Sequence, residues 1–282
     1  MNGPGQAGGA ADAILVWWDE PAAGPLNMAA DEALAAEALR HGGPVVRFYG
    51  WEPTGVSLGA FQRLADARQV EAIAAVPIVR RPSGGGAIVH GSDLTYAAAV
   101  PKTHPWGGRP QAFYDVFHAA AVAELVHRGV AARQHAPPPG GTASEDMPTG
   151  EEAPGDADLF FCFDRRAVGD VVATAAGATA SGAAKLLGSA QRRLAGAVLQ
   201  HGSLLLRANP GVGPAARHPG LWDLAAGGPG DPRDLAEAWI ARLAAAAGLA
   251  TDWQDAGFLS PRRTLLSTAA ARFADDGWTG RR

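Results

Sequence analysis

Cysteine is all but absent from this 282-residue chain: Cys162 is the only one. One thiol cannot close an internal disulfide, and one sulfur cannot build a cysteine-rich metal site, so no metal centre is expected. Long apolar runs are missing too. None approaches the ~20 residues that span a bilayer, which excludes a transmembrane helix. Residues 1–12 are rich in Gly and Ala but lack a basic start followed by an apolar stretch. They read as a disordered tail and not as a signal peptide, and a cytoplasmic protein is the expectation. Aromatics are sparse at 7% and charges modest at 18%, yet 47% of residues are hydrophobic, which excludes a wholly disordered chain. The length suffices for a buried core in one large domain or two small ones.

Lysine is scarce as well. Of 24 basic residues only Lys102 and Lys185 are lysines; the others are arginines. With so much Ala and Gly, this reads as GC-biased codon usage, which replaces Lys by Arg wherever either will serve. A retained lysine then points to work that arginine cannot do. The net charge is −4, but residues 137–158 hold six acids and no base, leaving 22 acids against 24 bases in the remainder. A weakly basic body carried on arginines suits acidic protein partners better than bulk nucleic acid.

Hydrophobic periodicity predicts a strand over 13–18, then a helix over 28–39 following Asn27. Strands are expected at 44–49 and 55–58 around a turn at Glu52-Pro53, a short helix at 64–75 and a strand at 77–80. Residues 87–90 and 94–100 read as a hairpin across Gly91-Ser92. A strong helix is predicted over 111–128, stopped by Gly129. Residues 137–158 collapse into Pro, Gly, Ser, Thr and acids, a flexible surface insertion. Strands are expected at 159–163, 168–172 and near Leu186, and a pair at 195–200 and 203–207 interrupted by His201-Gly202. The last quarter reads as helical, over 233–247 and 262–274. Frequent hairpins without regular βα alternation argue for an α+β fold, a mixed and largely antiparallel β-sheet flanked by helices.

Three segments carry chemistry. In Arg80-Arg-Pro-Ser-Gly-Gly-Gly-Ala-Ile-Val-His90, consecutive glycines between strands let the backbone approach a ligand and present N–H groups to it. The plainer reading is a flexible hairpin loop in a chain with 37 glycines. Neither a dinucleotide fingerprint nor a phosphate-binding loop has this spacing. In Lys185-Leu-Leu-Gly-Ser-Ala-Gln191, the lysine sits among small and apolar residues, where desolvation lowers an amine's pKa; a surface lysine is the alternative. His201-Gly202 breaks an apolar run and reads as a satisfied core histidine or as a site residue. Cys162 lies in Phe160-Phe-Cys-Phe163. It is either a small buried apolar residue or a thiolate nucleophile, and the latter requires a nearby cation. Arg47, Arg63, Arg68 and the Arg192-Arg193 pair read as solvated surface charge.

In order along the chain, Asn27-Met-Ala-Ala-Asp-Glu-Ala, Trp51-Glu-Pro through Leu58-Gly-Ala-Phe-Gln62, the glycine loop, Lys185 to Gln191 and Leu199-Gln-His-Gly-Ser203 resemble the biotin/lipoate protein ligase catalytic domain, in its lipoate ligase and octanoyltransferase branch. The resemblance covers about 13–207, leaving 208–282 as a helical extension packed on the same domain. It implies a cysteine-dependent acyltransferase: in one octanoyltransferase type the nucleophile occurs as Cys-Phe-Asp/Glu upstream of the lysine, as Cys162-Phe-Asp164 does here. By the same resemblance, Cys162 and Lys185 are the catalytic pair. Arg81, Ser83, Gly84, Gly85, Gly86, His90, Gly188, Ser189, Ala190, His201 and Gly202 line the acyl site. The implied donor is octanoyl-acyl carrier protein, and the implied acceptors are lipoyl domains of 2-oxoacid dehydrogenases or the glycine cleavage H protein. No cofactor, nucleic acid or membrane is implied. The alternatives are an ATP-dependent lipoate–protein ligase, which would add ATP and Mg, and a non-catalytic protein that binds acyl groups or lipoyl domains. Three departures stand out: the stretch between Cys162 and Lys185 is lengthened by Ala and Gly residues, Gly91 occupies a position where an acidic residue is expected after the histidine, and the insertion at 137–158 has no counterpart.

Overall fold

The computed structural model describes residues 11–136, 159–174, 182–225 and 230–281. The insertion at 137–158 and nearly all of the tail lie outside them. In chain order the elements are β1 (Ala13–Trp18), α1 (Gly24–His41), β2 (Val45–Tyr49), β3 (Gly55–Leu58), α2 (Leu64–Gln69), β4 (Ile78–Arg80), β5 (Ile88–His90), β6 (Asp93–Pro101), α3 (Pro105–Gly108), α4 (Pro110–His127) and β7 (Ala131–Gln134). They continue with β8 (Val171–Thr174), β9 (Ala184–Leu194), β10 (Ala197–Leu205), α5 (Leu221–Leu224), α6 (Pro232–Ala247), β11 (Ala250–Trp253), α7 (Arg263–Ala274) and α8 (Asp276–Thr279). No helix among the described residues is long and apolar enough to cross a membrane.

An eight-stranded sheet in the order β11-β1-β2-β6-β10-β9-β8-β7 forms the body, and β4-β3-β5 forms a smaller one. Only the β11-β1-β2 end of the large sheet is parallel; every other pairing in it is antiparallel. The expected mixed, largely antiparallel α+β architecture is what the chain adopts. Period-two alternation sends the strand side chains to opposite faces. Val46, Phe48, Tyr96 and Val198 meet Phe113 and Phe117 of α4 and Trp239 of α6 on one face. Val45, Tyr49, Ala97 and Leu199 meet Met28 and Leu34 of α1 and Phe273 of α7 on the other. Alanines at 97 and 99 leave room for α1 to lie close against β6.

Several local expectations fail, each for a physical reason. Residues 87–90 and 94–100 are not a hairpin. The chain turns at Gly91, whose φ of 116° suits glycine, and β5 and β6 enter different sheets. His201-Gly202 does not interrupt a strand pair but sits mid-way along β10, which is buried along its whole length between β6 and β9. Residues 159–163 are not a strand; a single bridge from Phe161 to Ala87 leads into a 3₁₀ turn at Cys162–Asp164. The C-terminal quarter is not purely helical, since β11 adds a parallel edge to β1. Arg47 is not solvated: it is fully buried and paired with Asp19 and with Asp31, the latter at 3.0 Å.

Candidate active site

The glycine loop leaves β4 and returns as β5, and Arg81 knits it together. Its guanidinium donates to Ser57 O at 2.8 Å and to Gly84 O and Gly86 O at 2.7 Å each. Burial pulls it down to about 10, still far above neutral pH. Arg81 therefore braces the loop through its carbonyls. A Cβ on Gly86 would stand 2.8 Å from the Cys162 nitrogen. Glycine is needed there because the cysteine segment crosses the loop at van der Waals distance, with Cys162 N–H donating to Ala87 O at 2.8 Å.

The 3₁₀ turn aims Cys162 at Lys185, which projects from β9. Lys185 Nζ lies 3.5 Å from Cys162 Sγ, 3.2 Å from Cys162 O and 2.8 Å from Asp170 Oδ2. Its three N–H groups thus have three acceptors. Asp170 is held in turn by the Tyr114 hydroxyl at 2.8 Å and by Ala167 N–H at 2.7 Å. A Cβ on Gly188 would come within 2.5 Å of Lys185 Cε, so the lysine stem lies in a slot that only glycine leaves open. Burial alone pushes an amine's pKa down, as expected from the sequence. Here the Asp170 carboxylate and the Cys162 sulfur outweigh it, and Lys185 is raised above its ordinary value. The expected easily deprotonated amine is a fixed ammonium instead.

Three buried histidines surround this pair, each spanning a serine hydroxyl and an acceptor. His201 lies between Ser83 Oγ and, at 3.1 Å, Asp31 Oδ2. His90 lies between Ser57 Oγ at 2.9 Å and Asp93 Oδ2 at 2.8 Å, stacked on Trp51. Asp93, two positions beyond Gly91, supplies the carboxylate missing after the histidine. His118 Nδ1 faces Gly169 O at 2.8 Å, which can only accept, so Nδ1 carries the proton. Its Nε2 then accepts from Ser189 at 2.7 Å, Ser189 accepts from Tyr96 at 2.6 Å, and Tyr96 accepts from Gln200 at 2.7 Å. Ser189 thus keeps only a lone pair for a ligand.

Burial pushes His118 down to about 4 from 6.5. Between those values the unfolded chain binds a proton that the folded chain refuses, so stability falls as pH falls through that window, by about 3 kcal/mol in all. NMR titration should find the His118 ring neutral down to about pH 4. Chemical denaturation should show the acid decline, and His118→Gln should flatten it. An imidazolium signal at His118 above pH 6 would contradict this assignment.

One cavity gathers most of the expected residues. Arg81, Gly84, Gly85, His90, Cys162, Gly188, Ser189, Ala190, His201 and Gly202 all line it, closed on one side by Met28 and Ile88. Lys185 reaches it through the sulfur, Gly86 lies behind Cys162, and Ser83 opens onto a neighbouring groove. Sequence reasoning missed Asp170, Tyr114, His118, Tyr96, Asp31 and Asp93. Asp31 was in view within Met28-Ala-Ala-Asp-Glu, where an acid on the apolar face of a helix is a signal of buried pairing.

The architecture is that of the lipoate–protein ligases. Lipoate-protein ligase A solved with ATP matches with a TM-score of 0.65 at 18% identity, over 95% of this chain and 98% of that one. A bi-partite lipoate protein ligase from Thermoplasma acidophilum matches with a TM-score of 0.64 at 17% identity, over 96% of each. At such identities the likeness is one of fold. The chain belongs to the lipoyl protein ligase A/B catalytic domain family, whose profile matches residues 24–212. Among curated relatives it is 34% identical over 188 residues to octanoyltransferase LipM of Kyrpidia tusciae, covering 65% of this chain and 62% of that protein. It is 35% identical over 199 residues to octanoyltransferase LipM of Exiguobacterium sibiricum, covering 68% and 64%. The match thus spans a little over three-fifths of these relatives' length.

Proposed function

We propose that this protein transfers an octanoyl group from the thioester of an acyl carrier protein, through Cys162, to the acceptor lysine of a lipoyl domain. The observation that carries the reading is the buried ammonium of Lys185 against the one thiol of the chain, in a cavity walled by the glycine loop. A cation beside sulfur favours the thiolate, which is the nucleophile. In the first half-reaction the thiolate bonds to the octanoyl carbonyl carbon, the carrier's C–S bond breaks, and the carrier thiolate leaves to take a proton from water. As charge moves from sulfur to the carbonyl oxygen, the ammonium can follow it. The Cys162 N–H is already spent on Ala87 O.

In the second half-reaction the uncharged lysine amine attacks the acyl-enzyme. The amide forms, the bond to Cys162 breaks, and the amine's proton neutralises the released thiolate. Thioester for thioester is near neutral and thioester for amide is downhill, so neither step calls for ATP or a metal. The relatives named octanoyltransferase support this reading over an adenylating ligase, whose chemistry needs no cysteine.

Octanoyl-carrier protein alone should add one octanoyl mass to the protein, labile to hydroxylamine. Adding a lipoyl domain, without ATP, should discharge it as an octanoyl-lysine. Transfer that appears only when ATP and free acid are supplied would favour the ligase, and binding without any transfer would favour a non-catalytic role.

A further inference from the structure

A second opening adjoins the sulfur cavity. It is a groove of about 630 Å³, and Gly84 of the glycine loop lines both spaces. Arg192 and Arg193 of β9 and Arg281 line it, and no carboxylate does so among the described residues. Arg192 Nη1 donates to Pro82 O at 2.8 Å, which fixes that guanidinium at the lip. Neither Arg192 nor Arg193 forms an ion pair with another described residue. Among the described residues these two cations therefore have no counter-charge.

The remaining wall is specific as well. Gln191 is 8% exposed, and its amide is oriented by two acceptors, Pro110 O and Gln200 Oε1, each at 2.7 Å. That fixes the Gln191 side chain beside the groove, with its Oε1 buried. Phe61 is 72% exposed on the same groove, its ring edge 3.6 Å from where a Cβ on Gly84 would stand. The groove thus offers two guanidinium groups for an anion, with the exposed Phe61 ring beside them, next to the glycine loop that also walls the thiol cavity.

We propose that this groove holds the phosphopantetheine arm of the carrier-bound donor, with its phosphodiester on Arg192 and Arg193. The arm carries these chemistries together: a phosphodiester, a gem-dimethyl carbon, two amides, then the thioester sulfur. Guanidinium forks suit phosphate oxygens better than ammonium groups do. The proposal rests on the thioester-donor reading above and adds the recognition element for that donor.

The test compares octanoyl-phosphopantetheine with octanoyl-pantetheine, which differ only in the phosphate, as donors for labelling Cys162. The wild-type protein should label faster with the phosphorylated donor, by about tenfold in kcat/KM at low salt, the worth of one good charge-assisted contact. Arg193→Gln should reduce that preference, and Arg192→Gln/Arg193→Gln should bring it near one. Octanoyl-carrier protein should follow the phosphorylated donor. Equal labelling by both small donors in the wild type overturns the groove assignment while leaving the thioester reading intact. Labelling by octanoyl-carrier protein alone overturns the groove assignment, and labelling by none of the three donors overturns both. Arginine variants that keep the donor preference but raise KM for the lipoyl domain give the groove to the acceptor, and the proposal falls.

Discussion

Cys162→Ala should abolish the octanoyl-enzyme and cut ATP-independent transfer by about 1,000-fold or more, the scale of losing a covalent nucleophile. Cys162→Ser should be almost as inactive, although its hydroxyl is close in shape. The reason lies in what surrounds the atom. Sγ faces an ammonium, which stabilises an anion already formed but cannot take a proton from a hydroxyl. A thiolate is stabilised by a cation beside it, whereas a serine hydroxyl must first give its proton to a base, and His201 and His90 are engaged with Ser83 and Ser57 instead. Because Cys162 sits in a surface turn with only partial burial, both variants should stay within about 1 kcal/mol of wild-type stability. Intact mass after exposure to donor and steady-state transfer to a lipoyl domain check this. A serine variant that transfers at the wild-type rate would sink the thiolate route.

The parts of this site that were legible in the sequence are those whose backbone needs are written in local composition. Three glycines between strands, a lone cysteine beside an acid, and a rare lysine next to Gly-Ser-Ala each announce themselves, and their order along the chain identifies the family. What stayed hidden is pairing at long range. Lys185 has apolar neighbours in sequence, so desolvation was the visible influence; Asp170, which reverses the sign, is brought to it by the β8–β9 pairing. Arg47 looks like any surface arginine until β2 buries it beside Asp19 and Asp31. Edges and centres of the sheet misled in opposite ways. β11 is short and mostly exposed and gives no hydrophobic signal, whereas β10 is buried throughout, so a polar His201 in its middle imitates a break. The Phe160–Phe163 run reads as a strand by composition, yet its aromatics pack against the small sheet and β10 from a turn.

Lys185 is where charge, size and burial can be separated. Lys185→Ala leaves the Asp170 carboxylate buried without its cation, so it should lose about 3–5 kcal/mol of stability as well as activity, the usual cost of breaking a buried pair from one side. Lys185→Arg keeps the charge, but a planar fork cannot follow the slot over Gly188 to reach both sulfur and carboxylate. Its transfer rate should fall by about 100-fold, on the scale of losing one positioned donor to developing charge. Asp170→Asn isolates the electrostatics. In the wild type the amine's folded pKa is raised above 10.5, so the pair's contribution is fully present below that value and is lost only as pH rises through the folded pKa. Wild-type alkylation of Cys162 by iodoacetamide should therefore show no Lys185 break through neutral and mildly alkaline pH. Without the carboxylate, burial acts with less opposition and the amine's pKa falls, so the Lys185 break in the variant's alkylation profile should come at lower pH than in the wild type. Thermal unfolding of each variant separates misfolding from lost reactivity. If Asp170→Asn keeps the wild-type pH profile, the carboxylate does not hold the ammonium. If Lys185→Arg transfers at the wild-type rate, positive charge alone suffices and the scarcity of lysine carried no chemical meaning.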